Sequence, residues 1–296
     1  TTTKEVFDSI IIGGGAAGLT TAIYAQRDRF NTLILEKKNI GGNAALPEKI
    51  ENYPGFTNIS GPALMQKMEE QALTYGAKIE TGVEVKNISK AENQFTIDTN
   101  MGLYYAKTVV LSVGSTYRKL NIPNENDLIG SGVHFCATCD GAFYRNREVL
   151  VIGGRNSALE ESIFLAGFCK KVTIVGWEKE FTASETYVEK LPSIKNIETH
   201  TNKASLQFLK NEQGNFKGLE IKDRETGETN ELYADGAFIF IGLIPNTTAF
   251  KDTVQLDKRG FIQTTGLAET SVKGIFAAGD CREGAIAQVA AATGEG

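Results

Sequence analysis

A short apolar run that breaks into closely spaced glycines and then turns helical occurs twice in this chain, and that repeat limits the fold more than any other feature. Residues 7–12 lead into Gly13-Gly14-Gly15-Ala16-Ala17-Gly18, residues 16–27 have helical composition, and residues 32–35 read as a second strand ending at Glu36. Residues 149–152 lead into Gly153-Gly154-Arg155-Asn156-Ser157-Ala158, followed by a helix over 158–168 and a strand over 171–175. Each is a strand–helix–strand unit, and parallel strands joined this way need the helical crossover.

The fold class expected is therefore α/β, with two Rossmann-like nucleotide-binding domains of three-layer ββα type, the second inserted into the first. Residues 1–116 and 246–296 form the outer domain in this reading, and residues 117–245 the insert. Within the outer domain, 41–61 is rich in Gly, Pro and Asn and reads as a long excursion over a ligand. A helix is expected over 62–75, with Pro62 near its first turn and Gly76 just past its end. Short strands over 83–88, 94–99 and 103–106 look like an antiparallel insertion, followed by a buried run over 108–113 that ends at Gly114. In the insert, a second group of short strands is expected over 197–233, with turns at 212–215 and 226–228, and a closing strand over 237–241. Gly242-Leu243-Ile244-Pro245-Asn246 is the expected return linker, 274–280 is strand-like, and a helix is expected from Ala285 to Gly296. That helix stops without a cap, so the natural chain is expected to continue.

At 296 residues, with 41% apolar and 23% charged residues, the chain has the balance of a soluble protein with two substantial cores. No apolar run approaches the roughly 18 to 20 residues that span a bilayer. Residues 1–8 lack a basic stretch followed by an apolar one, so no signal peptide is read there, and the absence of an initiator Met reads as trimming. A net charge of -5 without a long basic run argues against nucleic acid. Four cysteines are too few for a secreted disulfide scaffold, and a close Cys-x-x-Cys in an α/β setting points to redox chemistry in a reducing compartment. A cytoplasmic location is expected.

In the first turn, Gly13 permits the tight bend, Gly15 lets a pyrophosphate approach the backbone, and Gly18 permits close strand–helix packing. The helix start offers free N–H groups to phosphate, and Glu36 is placed to accept from a ribose hydroxyl. The competing reading is a glycine turn in an unliganded α/β core. Cys136-Ala137-Thr138-Cys139-Asp140 lies between the two turns. A zinc site would need two more ligands, and Cys169, Cys281, His134 and His200 lie singly, so no metal is expected. A structural disulfide fits a reducing compartment poorly. A redox dithiol also accounts for Asp140, since thiol–disulfide exchange needs a proton delivered to a leaving thiolate. His134 reads more readily as a core or surface histidine than as a modulator of the thiols.

The segments Gly13 to Gly18, Glu51-Asn52-Tyr53-Pro54-Gly55, Cys136-Ala-Thr-Cys139-Asp140-Gly141, the second glycine turn and Phe276-Ala-Ala-Gly279-Asp280 occur in the order found in the low-molecular-weight thioredoxin reductases, which this chain resembles over essentially its whole length. The resemblance implies FAD bound to the split domain and a dithiol on the insert that takes electrons from flavin and passes them to thioredoxin. It implies flavin contacts from Gly13, Gly15, Ala16, Ala17, Gly18, Glu36, Gly41, Gly42, Asn52, Val85, Gly114, Gly279, Asp280, Gln288 and Val289. It makes Cys139 the sulfur facing the flavin, Cys136 the attacker of the partner disulfide and Asp140 the acid. Asn43 stands where the family usually has Gln, and Ala287 where it usually has Arg. A homodimer is implied as well.

The departures from the family cluster at the nicotinamide site. Arg155 stands where the family has the third glycine, and Gly176-Trp177-Glu178-Lys179-Glu180-Phe181-Thr182 replaces a His-Arg-Arg run and a further arginine that hold the 2'-phosphate of NADPH. This pattern resembles the pyridine-nucleotide-independent branch of the family, ferredoxin-linked or deeply rooted, and implies a donor other than NADPH. Reduced ferredoxin gives single electrons, which FAD accepts. Its docking would call on basic residues such as Arg145, Arg147, Lys37 and Lys38. Three alternatives stand beside this reading: Arg155 turned outward with Lys179 serving NADPH, a redox-sensing flavoprotein without catalysis, and a second flat ligand recruited by Arg155 and Trp177.

Overall fold

The computed structural model describes residues 5–47, 49–92, 94–266 and 268–296, so residues 1–4 of the amino-terminal segment and Glu48 of the 41–61 excursion lie outside the described residues. Two compact units are present, Thr1–Thr116 with Leu243–Gly296, and Tyr117–Gly242. The return crossing falls three residues before the expected Asn246, because Leu243–Pro245 pairs as a strand with Ser115–Tyr117, the outgoing crossing.

The outgoing part of the first unit runs β1 (Val6–Ile12), α1 (Ala16–Arg27), β2 (Thr32–Glu36), α2 (Gly61–Thr74), β3 (Lys78–Thr81), β4 (Val85–Ala91), β5 (Gln94–Thr99), β6 (Gly102–Leu111) and β7 (Ser115–Tyr117). The second unit follows with α3 (Glu125–Leu128), β8 (Val133–His134), α4 (Ala137–Asp140), β9 (Glu148–Ile152), α5 (Asn156–Ala166), β10 (Lys171–Val175), α6 (Glu185–Lys190), β11 (Ile197–His200), β12 (Lys203–Lys210), β13 (Phe216–Asp223), β14 (Thr229–Tyr233) and β15 (Gly236–Ile239). The chain returns through β16 (Leu243–Pro245), β17 (Ile275–Ala277) and α7 (Val289–Glu295).

In the first sheet the order is β3-β2-β1-β6-β5-β4, parallel from β3 to β6 and antiparallel beyond. Alternation assigns its two faces. Ile10, Ile12, Leu33 and Leu35 enter one core cluster, while Ile11 and Ile34 enter the other with Leu19 and Ile23 of α1 and Leu64, Met65 and Met68 of α2. The runs expected separately at 103–106 and 108–113 are one strand, β6. Its first half pairs with β5, and its last residues pair in parallel with β17 where β5 has ended. Helix α2 starts at Gly61, where Ser60 caps it by accepting from the Ala63 N–H at 3.3 Å, and Gly76 beyond its end has φ +97°.

The second sheet is parallel throughout, in the order β11-β10-β9-β15-β8. Val149 and Val151 face α5 and Leu191, while Leu150 and Ile152 face Phe208, Leu219 and Ile221 of the antiparallel sheet β12-β13-β14. Ile197–His200 therefore belongs to the parallel sheet and not with the other short strands of the 197–233 group in which it was expected, since it extends β10 in parallel register. Helix α5 begins earlier than expected, at Asn156, because the glycine turn leads straight into it. The final helix begins at Val289 and not at Ala285, with Gln288 in extended conformation as its cap.

Tyr144 packs its ring against Phe238 of β15, with centroids 5.5 Å apart, and passes over Gly236 at the start of that strand. A Cβ on Gly236 would lie 2.4 Å from two carbons of the Tyr144 ring. Gly236→Ala is expected to cost about 1–3 kcal/mol of stability by overpacking, read as a lower urea midpoint at unchanged slope. An unshifted midpoint would show that the ring can move aside.

Candidate functional site

Each unit carries candidate site residues of its own at the carboxyl ends of parallel strands, where α/β sheets place ligands. In the first unit β1 ends at Gly13, whose φ is +108° and whose Cβ would lie 2.3 Å from the Ser112 carbonyl oxygen. A Cβ on Gly18 would lie 2.0 Å from the Gly13 carbonyl oxygen, so this glycine lets α1 sit directly on the strand end. Gly15 differs: a Cβ there meets nothing within 4 Å, and space is open above the first turn of α1. No side chain caps that turn, which leaves the N–H groups at Ala16, Ala17 and Gly18 turned toward the open side.

The Glu36 carboxylate accepts from the Gly14 N–H at 2.8 Å through Oε2 and from the Lys38 N–H at 2.8 Å through Oε1. Gly41 donates its N–H to the Gly14 carbonyl at 2.8 Å, and a Cβ on Gly42 would come within 4.0 Å of the Gly15 Cα. The backbone of Val83, two residues before Val85, donates to the Glu36 carbonyl at 3.0 Å. Asn52 and Gln288, distant in sequence, join through Asn52 Nδ2 donating to Gln288 Oε1 at 3.0 Å. Gly114, directly before β7, has φ +64°, and Asn43 donates from Nδ2 to the Ser115 carbonyl at 2.7 Å. Gly279 donates its N–H to Glu295 Oε2 at 2.7 Å, and Arg282 holds the same carboxylate with two donors. These contacts bring Gly14, Glu36, Gly41 and Gly42 together beside the first turn of α1, whose open, uncapped side fits a dinucleotide pyrophosphate, and separately pair Asn52 with Gln288 and Gly279 with Glu295. Glu295 was not among the predicted residues; its only signal is a lone carboxylate in an otherwise small-residue helix.

In the second unit Cys136 and Cys139 are joined as a disulfide, with Cα atoms 5.3 Å apart. Cys136 caps the four-residue helix α4, and its Sγ accepts from the Cys139 N–H at 3.2 Å. Both sulfur-bearing residues are half-buried, and Asp140 follows directly, with its carboxylate Oδ2 3.4 Å from His134 Nδ1. The other two cysteines are buried thiols. Burial pushes Cys169 up to about 11 and Cys281 up to about 12. Among the described residues no group of three or more His, Cys, Asp or Glu side chains is placed to hold a metal ion, and no helix is long and apolar enough to cross a membrane.

The second glycine turn has a different environment. A Cβ on Gly153 would lie 2.5 Å from the Phe240 carbonyl oxygen, so the tight bend is kept. Arg155 occupies the residue before α5 and is exposed. The ring of Phe181 lies over the turn, 3.4 Å from a Cβ on Gly154 and 3.0 Å from one on Gly176. Asn156 Oδ1 accepts from the Ser184 N–H at 2.8 Å. Beyond β10, the Arg224 guanidinium stacks on the Trp177 ring at 4.1 Å and donates to the Trp177 carbonyl at 2.7 Å, while Lys179 pairs with Glu225 at 3.2 Å. Arg224 comes from the turn after β13, and nothing in the local sequence announces its pairing with Trp177.

A model of the pyridine nucleotide-disulphide oxidoreductase family matches residues 7–296. The thioredoxin reductase of Bacillus subtilis (strain 168) is 37% identical over 293 residues, covering 99% of this chain and 92% of that protein. The thioredoxin reductase of Treponema pallidum (strain Nichols) is 41% identical over 291 residues, covering 98% and 94%. The crystal structure of thioredoxin reductase from Streptococcus pyogenes MGAS5005 superposes with a TM-score of 0.92 at 34% identity, covering 99% of this chain and 95% of that one.

Burial, with the Glu295 charge second, raises the Asp280 carboxyl to about 6. The folded chain thus binds this proton more tightly than the unfolded one. Asp280 costs no stability below its ordinary value of 3.8, and costs progressively more as pH rises through about 6. In protein stripped of bound nucleotide, Asp280→Asn is expected to raise the melting temperature at pH 8 and to leave it unchanged near pH 3. An equal shift at both would show that the carboxyl charge is not what the burial opposes.

Proposed function

This chain belongs to the low-molecular-weight thioredoxin reductases of the pyridine nucleotide-disulphide oxidoreductase family, and from that premise we propose that it is an FAD-dependent enzyme that reduces a protein disulfide, that of thioredoxin or a similar protein, with electrons from a donor other than NADPH. The observation that carries the choice of donor is the second glycine turn, where Phe181 lies over the glycines, Arg155 replaces the residue that must admit a pyrophosphate, and Lys179 is already paired. A 2'-phosphate needs charge-assisted donors, and each one missing costs about 1.5–3 kcal/mol. Arg224 takes the stacking role on Trp177 that a second flat ligand would have had.

Bound FAD would supply the redox chemistry, accepting electrons singly or in pairs. The residues of the first unit are assigned to hold it: Gly13, Gly15, Ala16, Ala17 and Gly18 at the pyrophosphate, Glu36 at the ribose, and Gly41, Gly42, Asn52, Val85, Gly114, Gly279, Asp280, Gln288 and Val289 along the rest. In the dithiol Cys139 is the sulfur that faces the flavin, Cys136 attacks the partner disulfide, and Asp140 gives the leaving thiolate its proton. Reduced ferredoxin is the donor class proposed. Arg145 and Arg147 near the dithiol loop and Lys37 and Lys38 after β2 are the cations offered to an acidic carrier. A cytoplasmic homodimer completes the reading.

Anaerobic titration with stoichiometric NADPH is expected to leave the visible flavin absorbance unchanged, while dithionite and reduced ferredoxin bleach it. Bleaching by NADPH would overturn the choice of donor. Cys139→Ser is expected to abolish electron exchange between flavin and dithiol; a variant that reduces thioredoxin at the parental rate would reassign the sulfurs.

A further inference from the structure

Behind the dithiol loop lies a buried polar contact that packing alone does not call for. His134, at the edge strand β8, is 8% exposed, and its ring sits against Tyr144 and Phe238 with centroids 5.4 and 5.2 Å away. A leucine or phenylalanine would fill the same space. Instead both ring nitrogens face polar partners: Nε2 lies 2.7 Å from the Tyr144 hydroxyl, and Nδ1 lies 3.4 Å from Asp140 Oδ2. Tyr144 is 7% exposed and reaches this place only because residue 236 is glycine.

The partners decide which nitrogen carries the proton. Burial, and after it the charge of Asp140, pushes the Tyr144 phenol up to about 12, so it stays protonated and donates. Arg147 and Asp235 are the other charged groups acting on it, with opposite sign. With Nε2 accepting from Tyr144, a neutral imidazole keeps its proton on Nδ1, pointing at the carboxylate. The other tautomer would set a lone pair against that carboxylate. We propose that His134, locked as the Nδ1–H tautomer by Tyr144, is a positioning residue that fixes the Asp140 carboxylate beside the Cys136–Cys139 disulfide. The proposal rests on the reading of Asp140 as the acid of dithiol exchange.

The chain has only two histidines, so ¹⁵N-histidine labelling reads the tautomer directly. His200, bonded to Glu198 at 2.7 Å, is assigned by its loss in His200→Gln. His134 is expected to show a protonated Nδ1 and an unprotonated Nε2, and Tyr144→Phe to release it toward the Nε2–H form that free imidazole prefers. An Nε2–H tautomer in the parent protein would overturn the proposal. The second readout is the rate at which dithiothreitol reduces the Cys136–Cys139 disulfide in the full chain at neutral pH. His134→Leu is expected to slow it about tenfold, less than the loss typical of removing a positioned acid outright. It should add nothing in an Asp140→Asn background. His134→Asn, whose amide nitrogen overlays Nδ1, should regain most of the rate, and Tyr144→Phe, which keeps the ring packing, should show a smaller loss. Additive losses for His134 and Asp140 would overturn the positioning role alone. An Asp140→Asn protein of parental rate would overturn the acid reading and the positioning role together.

Discussion

The contact on which the first unit depends is the approach of α1 to the end of β1, where any side chain at Gly18 would run into the Gly13 carbonyl. This closeness puts the first turn of the helix, uncapped, at the sheet's carboxyl edge, and the Gly41-Gly42 bend closes over it. The second unit achieves the same approach with Ala158 in place of a glycine, its Cβ 2.7 Å from where one on Gly153 would be. Both turns keep the close helix–strand approach; only the first has, at Gly15, a glycine whose Cβ position meets open space.

Around the second turn the chain's own side chains make the contacts. The Phe181 ring lies on Gly154 and Gly176, Arg224 stacks on Trp177, and Asn156 accepts from the backbone of Ser184. Polar groups at a sheet's carboxyl edge need partners. Here the antiparallel sheet β12-β13-β14 provides one of them from the turn after β13. The mixed architecture, a parallel sheet with helices on one face and strands on the other, is what brings that turn within reach.

Much of this was readable in the sequence because it is local. Glycine spacing, strand alternation and the Cys-x-x-Cys-Asp run are all patterns within a few residues, and they led to the right strands, crossovers and dithiol loop. What could not be read was set by register. That the runs on either side of Lys107 form one strand depends on β1, from the start of the chain, pairing with both of them. The assignment of Ile197–His200 depends on which neighbour it meets. His134 looks like a core histidine from its neighbours in sequence. Only the pairing of β8 with β15 and the turn after α4 bring Tyr144 and Asp140 to its two nitrogens.

The four cysteines divide into an accessible pair and two sequestered thiols, Cys169 and Cys281, whose surroundings oppose the thiolate. Reagents that attack sulfur as its anion therefore meet a silent background in the native protein. Counting groups modified without denaturant becomes a gauge of redox state: none when the loop is oxidised, two when it is reduced. The same sequestration protects the cores from the oxidants that the dithiol must meet, so wear from repeated turnover would accumulate at the loop and leave the scaffold intact.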